Sequence, residues 1–225
     1  MATMTDAHTH ILPGIDDGAA DVEKSLAMLR IQRKQGVDTV LLTPHFYREE
    51  ESIDSFLARR QASYDALIAA IGDEPMPKLV LGAEVYMYPG ISREEELHKL
   101  CIEGTDLLLL ELPYAPWLDS VLEEVDAIPA LRGLTPLIAH VDRYFHFQKR
   151  GQIPLLMQMG FPIQLNASGF RGFWQRRKLL PILRSGKCCI GSDCHTPDFR
   201  GPCMDVAAAY LRRHRDLEYA LHWQP

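Results

Sequence analysis

The chain is poor in the features that would make its function obvious at once. It has few cationic residues: 24 Lys and Arg stand against 30 Asp and Glu, for a net charge of -6 over 225 residues. Nucleic acid is therefore an unsuitable main partner, because phosphate backbones need a basic stripe. No long hydrophobic run is present. The longest, 107–110 with Leu112 and Pro113 beyond Glu111, is far too short to cross a bilayer, so no membrane span is expected. The N-terminus has neither a basic n-region nor an apolar h-region, which argues against a signal peptide. Its five cysteines, an odd number with Cys188 and Cys189 adjacent, make no disulfide framework and fit buried, reduced thiols in a cytoplasmic protein. No linker, low-complexity tract or internal repeat divides the chain, so residues 1–225 are expected to form one domain.

What the chain does have is 47% hydrophobic residues, arranged in alternation. Short apolar runs at 6–10, 37–44, 79–85, 106–112, 136–141, 161–166 and 188–193 read as seven strands buried on both faces. Between them lie helical patterns. Val22, Leu26 and Leu29 recur at helix spacing up to Gly36. A long amphipathic segment runs from Ile53 to Ile71, and Ser92-Arg-Glu-Glu95 has the form of a capping box that opens another helix. Further helices are expected over 118–132, 152–159, 174–185 and 203–221. Strand–helix alternation throughout implies an α/β fold with a parallel sheet and helical crossovers. Seven units favour a closed or nearly closed barrel over an open sheet.

In such a barrel, chemistry collects at the C-terminal ends of the strands. Six of the seven runs end in a side chain able to bind a metal. His8 and His10, two apart, point to one face of an extended strand. His45 follows the second run, Glu84 and Glu111 end the third and fourth, and His140 ends the fifth. Asp193 and His195 form a second pair two apart. Asp17 lies in a loop closed by Gly18, where a carboxylate could swing back toward a second ion. Each of these has an ordinary reading in isolation. His45 or His140 alone could be a hydrogen-bonded core or rim histidine, and a buried carboxylate could be paired with a neighbouring strand. Bland causes acting independently do not place so many ligands at six strand ends. The remaining histidines, His98, His146, His214 and His222, are set aside as solvated or packed.

Five imidazoles and four carboxylates exceed what one ion needs, since a catalytic zinc takes about three protein ligands. They suggest two or three ions with a bridging carboxylate. The nitrogen and oxygen set has no thiolate and suits manganese, iron or zinc better than magnesium. Many aromatics, among them Tyr47, Tyr86, Tyr114, Phe147, Trp174 and Phe199, fall just past strand ends. They could sandwich an aryl ring or simply close the barrel mouth.

The ordered set His8/His10, His45, Glu84, His140 and Asp193/His195 resembles the polymerase and histidinol phosphatase (PHP) superfamily. More narrowly, HILPGIDDGA, TPHF, GAEVY, ELPY, IAHVDRY and GSDCH look like the bacterial manganese-dependent tyrosine phosphatases of the capsule and exopolysaccharide system, the CpsB/YwqE type. The resemblance implies a distorted seven-stranded parallel β/α barrel carrying three divalent ions, Mn2+ first, with Fe or Zn as alternatives. One ion would use His8, His10, Glu84 and Asp193, a second Glu84, Glu111 and His140, and a third Asp17 (or Asp16), His45 and His195. Arg143 and Arg200 stand where the family has phosphate-binding arginines. The implied reaction is hydrolysis of phosphotyrosine by metal-activated hydroxide. The implied partner is a phosphotyrosine-containing protein, the C-terminal tail of a bacterial tyrosine kinase that governs polysaccharide assembly. Two departures are the short tail after Arg200 and Cys194, where the family has a small residue.

Three rival readings remain. Cys194 to Arg200 fits C-x5-R, the spacing of thiol-based tyrosine phosphatases, but has no glycine for a tight phosphate-wrapping loop. A small-molecule phosphatase of the histidinol-phosphatase type could use the same metal centre. A non-catalytic, metal-binding partner subunit would carry the ligands without turnover.

Overall fold

A computed structural model describes residues 3–224. The seven expected strand positions are all present, two of them broken in the middle. β1 (Thr5–Thr9), β2 (Thr39–Leu42), β3 (His45–Phe46), β4 (Lys78–Leu81) and β5 (Glu84–Tyr86) come first in the chain. β6 (Leu107–Glu111), β7 (Thr135–Ile138), β8 (Ile163–Asn166) and β9 (Cys188–Gly191) follow. All pairings are parallel, in the orders β1-β2-β4 and β3-β5-β6-β7-β8-β9.

The breaks after β2 and β4 occur side by side, at Thr43-Pro44 and Gly82-Ala83. Pro44 has no N–H to give the ladder. The Thr43 hydroxyl takes over there, accepting from Thr9 N–H at 3.1 Å and donating to Thr9 O at 3.2 Å. Gly82 N–H to Leu42 O (2.9 Å) and Glu84 N–H to Pro44 O (3.0 Å) carry the pairing across the gap. β2/β3 and β4/β5 are thus two bent strands. The last strand returns to the first through Asp193 N–H to His8 O (2.9 Å), His10 N–H to Cys194 O (3.0 Å) and a bridge between Thr9 and Cys194. The barrel is closed.

Ala7, Leu41, Val80, Ile102, Leu109, Leu137, Ala139 and Cys189 fill its interior, with Trp223 packed against them. The alternate residues Val40, Leu42, Leu108, Leu110, Ile138, Cys188 and Ile190 face outward into the core shared with the helices. The adjacent Cys188 and Cys189 therefore lie on opposite sides of the wall, and all five cysteines are free and buried. β1 departs from strict alternation. Asp6 pairs with Val40 and Thr9 with Leu42, so one extra residue bulges between them. The bulge lets Ala7 join the inner cluster while His8 and His10 both reach Glu84.

The helices are α1 (Val22–Lys34), α2 (Ile53–Ile71), α3 (Asp119–Arg132), α4 (Val141–Tyr144), α5 (Gln152–Gln158), α6 (Phe173–Leu183) and α7 (Met204–Leu211). Asp21 caps α1 by accepting from Lys24 N–H, and Ser52 caps α2 through Ser55 N–H. Two expectations need correction. The capping box at Ser92 opens no α-helix; residues Ile91–Arg93 and Leu97–Leu100 form short 3-10 turns. The Gly90 and Ser92 N–H groups donate to the carboxylate of Glu124 in α3, at 3.3 and 3.1 Å, and Arg132 donates to Ser92 O. This tertiary partner outcompetes the local cap. The helix expected over 203–221 stops at Leu211, where four successive basic residues, Arg212 to Arg215, begin. The chain then turns, so that Leu217, Ala220 and Leu221 are buried. No helix among the described residues is long and apolar enough to cross a membrane.

Candidate metal centre

All nine side chains expected as ligands converge at the C-terminal end of the barrel. Glu84, at the start of β5 and 1% exposed, lies at the middle. Its Oε2 is 3.1 Å from His8 Nε2, 3.2 Å from His10 Nε2 and 3.0 Å from His45 Nδ1. Its Oε1 is 2.7 Å from His140 Nε2, which is in turn 3.5 Å from Glu111 Oε1. Asp193 Oδ1 lies 3.6 Å from His10 Nε2 and 4.0 Å from His8 Nε2. On the outer side, Asp17 Oδ1 is 3.3 Å from His195 Nε2 and 3.5 Å from His45 Nε2. Four overlapping groups each bring ligand atoms within coordination reach of one another: His10, Asp17, His45 and His195; His8, Glu84 and His140; His8, His10 and Asp193; His45, Glu84 and Glu111.

The adjacent aspartates separate. Asp16 Oδ2 faces His10 Nδ1 at 2.8 Å and accepts from His45 N–H at 3.0 Å, while Oδ1 accepts from Gly18 N–H at 2.9 Å. Asp16 is thus occupied in orienting His10, which leaves His10 Nε2 free toward Glu84. Asp17, with a side chain 64% exposed, reaches His45 and His195. Gly18 is needed for this loop, since a Cβ there would sit 2.6 Å from His10 Cβ.

The donor set fits divalent cations. Two imidazole nitrogens, His8 Nε2 and His10 Nε2, face each other at 3.1 Å. Glu84 Oε2, His45 Nδ1 and His195 Nε2 are buried without an aligned hydrogen-bond partner among the described residues. Burying such groups unsatisfied is costly unless a cation accepts their lone pairs. The imidazoles and carboxylates also act on one another electrostatically. Burial opposes charge on Glu84, but His8, His10 and His140 hold its carboxyl well below the usual range. Burial likewise opposes charge on His10 and His140. Asp16 and Glu84 nonetheless raise His10 well above its ordinary value, and Glu111 and Glu84 raise His140 to about 9. His195 is pushed down to about 3, by burial first and then by His10.

Two strained residues stand at the site, His140 with φ 29° and Asp193 with φ 52°. Non-glycine residues in this region persist only where their surroundings hold them. His140 N–H donates to Gln164 Oε1 at 2.6 Å, and the same oxygen faces His8 Nδ1 at 3.1 Å. Gln164 donates to Asn166 Oδ1 (2.9 Å), and Asn166 donates to Asp193 Oδ2 (3.1 Å). These amides were missed from the sequence. β8 was the one strand with no ligand at its end, yet Gln164 and Asn166 repeat the two-residue spacing of the ligand pairs. Nothing in the sequence separates the orienting Asp16 from its neighbour Asp17, since both are aspartates in one loop.

Arg143 and Arg200 both engage Asp193, donating to Oδ2 at 3.0 Å and Oδ1 at 3.1 Å. Their side chains remain more than a third exposed and line a cleft of about 350 Å³ beside the centre. His146, set aside in the sequence, lies on the same cleft wall. Tyr114 O–H is 3.3 Å from His140 Nε2, and the Arg143 guanidinium lies 5.1 Å from its ring centre. Cys194 is 1% exposed and packs into the outer core, and burial raises its thiol well above the ordinary value. It cannot present a thiolate to the cleft, which removes the C-x5-R reading. The aromatic rim divides. Phe46, Trp117, Tyr144 and Phe170 are core, whereas Phe147, Phe173, Trp174 and Phe199 are exposed.

A closed parallel barrel with this cluster at its C-terminal mouth defines a candidate metal-binding barrel. Residues 4–223 match the family described as capsular polysaccharide synthesis, CpsB/CapC, and the chain belongs to it. Among its relatives is the tyrosine-protein phosphatase YwqE of Bacillus subtilis (strain 168). The two are 30% identical, over 97% of this chain and 88% of that protein. The tyrosine-protein phosphatase CpsB of Streptococcus pneumoniae is 28% identical, over 91% and 88% respectively. The fold matches a chain from crystal structures of YwqE and CpsB, described as unique metal-dependent tyrosine phosphatases. The TM-score is 0.73 at 23% identity, covering 97% of this chain and 91% of that one.

Proposed function

We propose that this chain is a metal-dependent protein-tyrosine phosphatase acting on a phosphotyrosine-containing protein, the tail of a bacterial tyrosine kinase that regulates capsule or exopolysaccharide synthesis. His8, His10, Glu84 and Asp193 would hold one divalent ion. Glu84, Glu111 and His140 would hold a second, and Asp17, His45 and His195 a third, with manganese the first candidate. Bound ions would supply Lewis acidity, lowering the pKa of water and neutralising phosphate charge.

The chain's own residues do the rest. Arg143 and Arg200, fixed from below by the two oxygens of Asp193, present guanidinium edges to the non-bridging phosphate oxygens. Those charge-assisted bonds strengthen as negative charge spreads in the transition state. Tyr114 braces Arg143 through its ring and keeps its phenol protonated, because burial and the Glu111 carboxylate both raise its pKa. Gln164 and Asn166 hold His8, His140 and Asp193 in the orientations binding requires.

The observation that carries this reading is the convergence of five imidazoles and four carboxylates beside two arginines that share one aspartate. The test is turnover of p-nitrophenyl phosphate and of a phosphotyrosine peptide by manganese-loaded protein. Chelation or His10→Ala should lower the rate at least about 100-fold, whereas Cys194→Ser keeps most of it. Metal-loaded protein that turns over neither substrate, or activity that survives chelation but not Cys194→Ser, would refute the proposal.

A further inference from the structure

The stretch 167–192 contains Arg171, Arg176, Arg177, Lys178, Arg184 and Lys187 and no acidic residue, in a chain whose net charge is -6. Several cations elsewhere are paired: Arg30 with Glu74, Arg48 with Glu94, Arg59 with Glu51, and Lys99 with Asp54 and Glu96. Here, among the described residues, Arg171, Arg177 and Lys178 have no carboxylate within 4 Å. Arg177 instead lies over the rings of Phe173 and Trp174, at 6.0 and 5.8 Å, and Lys178 over Phe145 at 5.9 Å. Trp174 is 73% exposed and Phe173 58%. Leaving such large apolar rings in water on the first turn of a helix has a cost that its own packing does not explain, since α6 buries Leu179, Ile182 and Leu183 on its other face.

This patch is continuous with the cleft of the metal centre. The cleft holding Arg143 and Arg200 is also lined by Arg171, His146 and Gln175. A smaller cavity lined by Phe145, Trp174 and Lys178 shares Asp142, His146, Gly169 and Gln175 with it. A single groove therefore leads from the paired arginines, along the wall between α4 and α6, to Trp174. The carboxylates along it are engaged: Asp142 accepts Asn166 N–H at 2.9 Å and Asp193 holds the two arginines. The groove thus presents cations and exposed aromatic rings and no free negative group.

We infer that this groove docks an acidic peptide segment flanking the phosphotyrosine, so that the protein selects substrates by the charge of their neighbouring residues as well as by the phosphoryl group. The inference rests on the phosphatase reading for what sits at the arginine end. The chemistry is complementary. Aspartate and glutamate side chains meet Arg171 and Lys178 in the groove and Arg177 beside Trp174 at its end, and peptide backbone or apolar side chains lie across Trp174. A concave groove that opens onto the reacting centre suits an extended polypeptide better than a lipid surface, which needs a protruding face.

The test compares metal-loaded wild type with the double variant Arg177→Glu/Lys178→Glu. The substrates are p-nitrophenyl phosphate and two phosphotyrosine peptides of equal length, one flanked by Asp and Glu and one by Lys. Wild type should show a kcat/KM about tenfold higher on the acidic peptide. The double variant should lose that preference with the p-nitrophenyl phosphate rate unchanged, and Trp174→Ala should weaken the acidic peptide a few-fold. Fluorescence anisotropy with an acidic peptide carrying a non-hydrolysable phosphonate reads the same preference without turnover. If wild type hydrolyses no aryl phosphate, the phosphatase reading fails alone, and the anisotropy difference still decides the groove. Equal rates and equal binding for the two peptides would overturn the inference, as would a variant that slows p-nitrophenyl phosphate by the same factor. Arg177- and Lys178-dependent binding to phosphatidylglycerol vesicles, without any peptide preference, would mark a membrane surface instead.

Discussion

Asp16 and Asp17 are chain neighbours of the same type with opposite tasks, and the difference comes from what each oxygen already holds. Asp16 has spent its lone pairs on His10 Nδ1, His45 N–H and Gly18 N–H, whereas Asp17 stays in solvent reach beside two imidazoles. Gln164 does for His8 what Asp16 does for His10. Its Oε1 fixes the Nδ1 side, so that the other ring nitrogen turns to the centre, and it also accepts the N–H of strained His140. Removing that oxygen leaves both candidate ligands in place but unaimed. Gln164→Ala is therefore expected to weaken manganese binding about 10- to 100-fold. Activity should return toward wild type as the metal is raised, while Gln164→Glu, which keeps the acceptor, should lose less. A manganese titration of activity checks this; a lowered plateau with an unchanged midpoint would assign Gln164 to the chemistry instead.

At the scale of elements, what was legible from residues was whatever depends on local periodicity. The seven apolar runs mark the seven strand positions because each inner and outer face is filled by alternating residues, as Leu107, Leu109 and Glu111 against Leu108 and Leu110 show. The paired breaks at Thr43-Pro44 and Gly82-Ala83 were not legible, because they are a property of two strands together. The Ser92 box misled for the same reason. Its N–H finds Glu124, and no local pattern reports a carboxylate that arrives from another helix. Glu124 should thus be worth measuring. Burial opposes its charge, but the Ser92 and Gly90 donors prevail and hold its pKa below 4.5. A lowered folded value stabilises above the unfolded pKa and is lost as pH falls through the folded one. Glu124→Ala is expected to cost about 1–2 kcal/mol at pH 7, with the gap to wild type narrowing as pH drops below 4.5. Urea midpoints across that range would register it, and a pH-independent gap would mean that side-chain packing, not charge, fixes the segment.

For the whole molecule, the candidate centre is also where the barrel is sewn shut. The strand ends that carry candidate ligands run from β1 to the residues just past β9, and it is there that His8 O and His10 N–H take up the returning chain. The order of the candidate ligands was legible because all but Asp17 lie at or just past strand ends. The amides of β8 and the groove beside α6 were not, since neither carries a residue type that announces its role. This arrangement ties stability to the proposed cofactor. Asp17, Glu84, Glu111 and Asp193 crowd one end of the barrel among five imidazoles, one of which, His195, is held low by burial first and then by His10. Ions that bind only the folded chain stabilise it by mass action, about 2.7 kcal/mol per site at a hundredfold excess over Kd. For a domain of this size, one such site is worth about 5–10 °C in Tm. Manganese should therefore raise the melting temperature of chelator-treated protein by at least about 5 °C. His10→Ala should lose most of that rise, because His10 sits between the groups that contain Asp193 and Asp17. A surface change such as Arg30→Ala should keep it. A melting curve that ignores manganese would separate the cluster from any ion and leave its buried, unpartnered nitrogens unaccounted for.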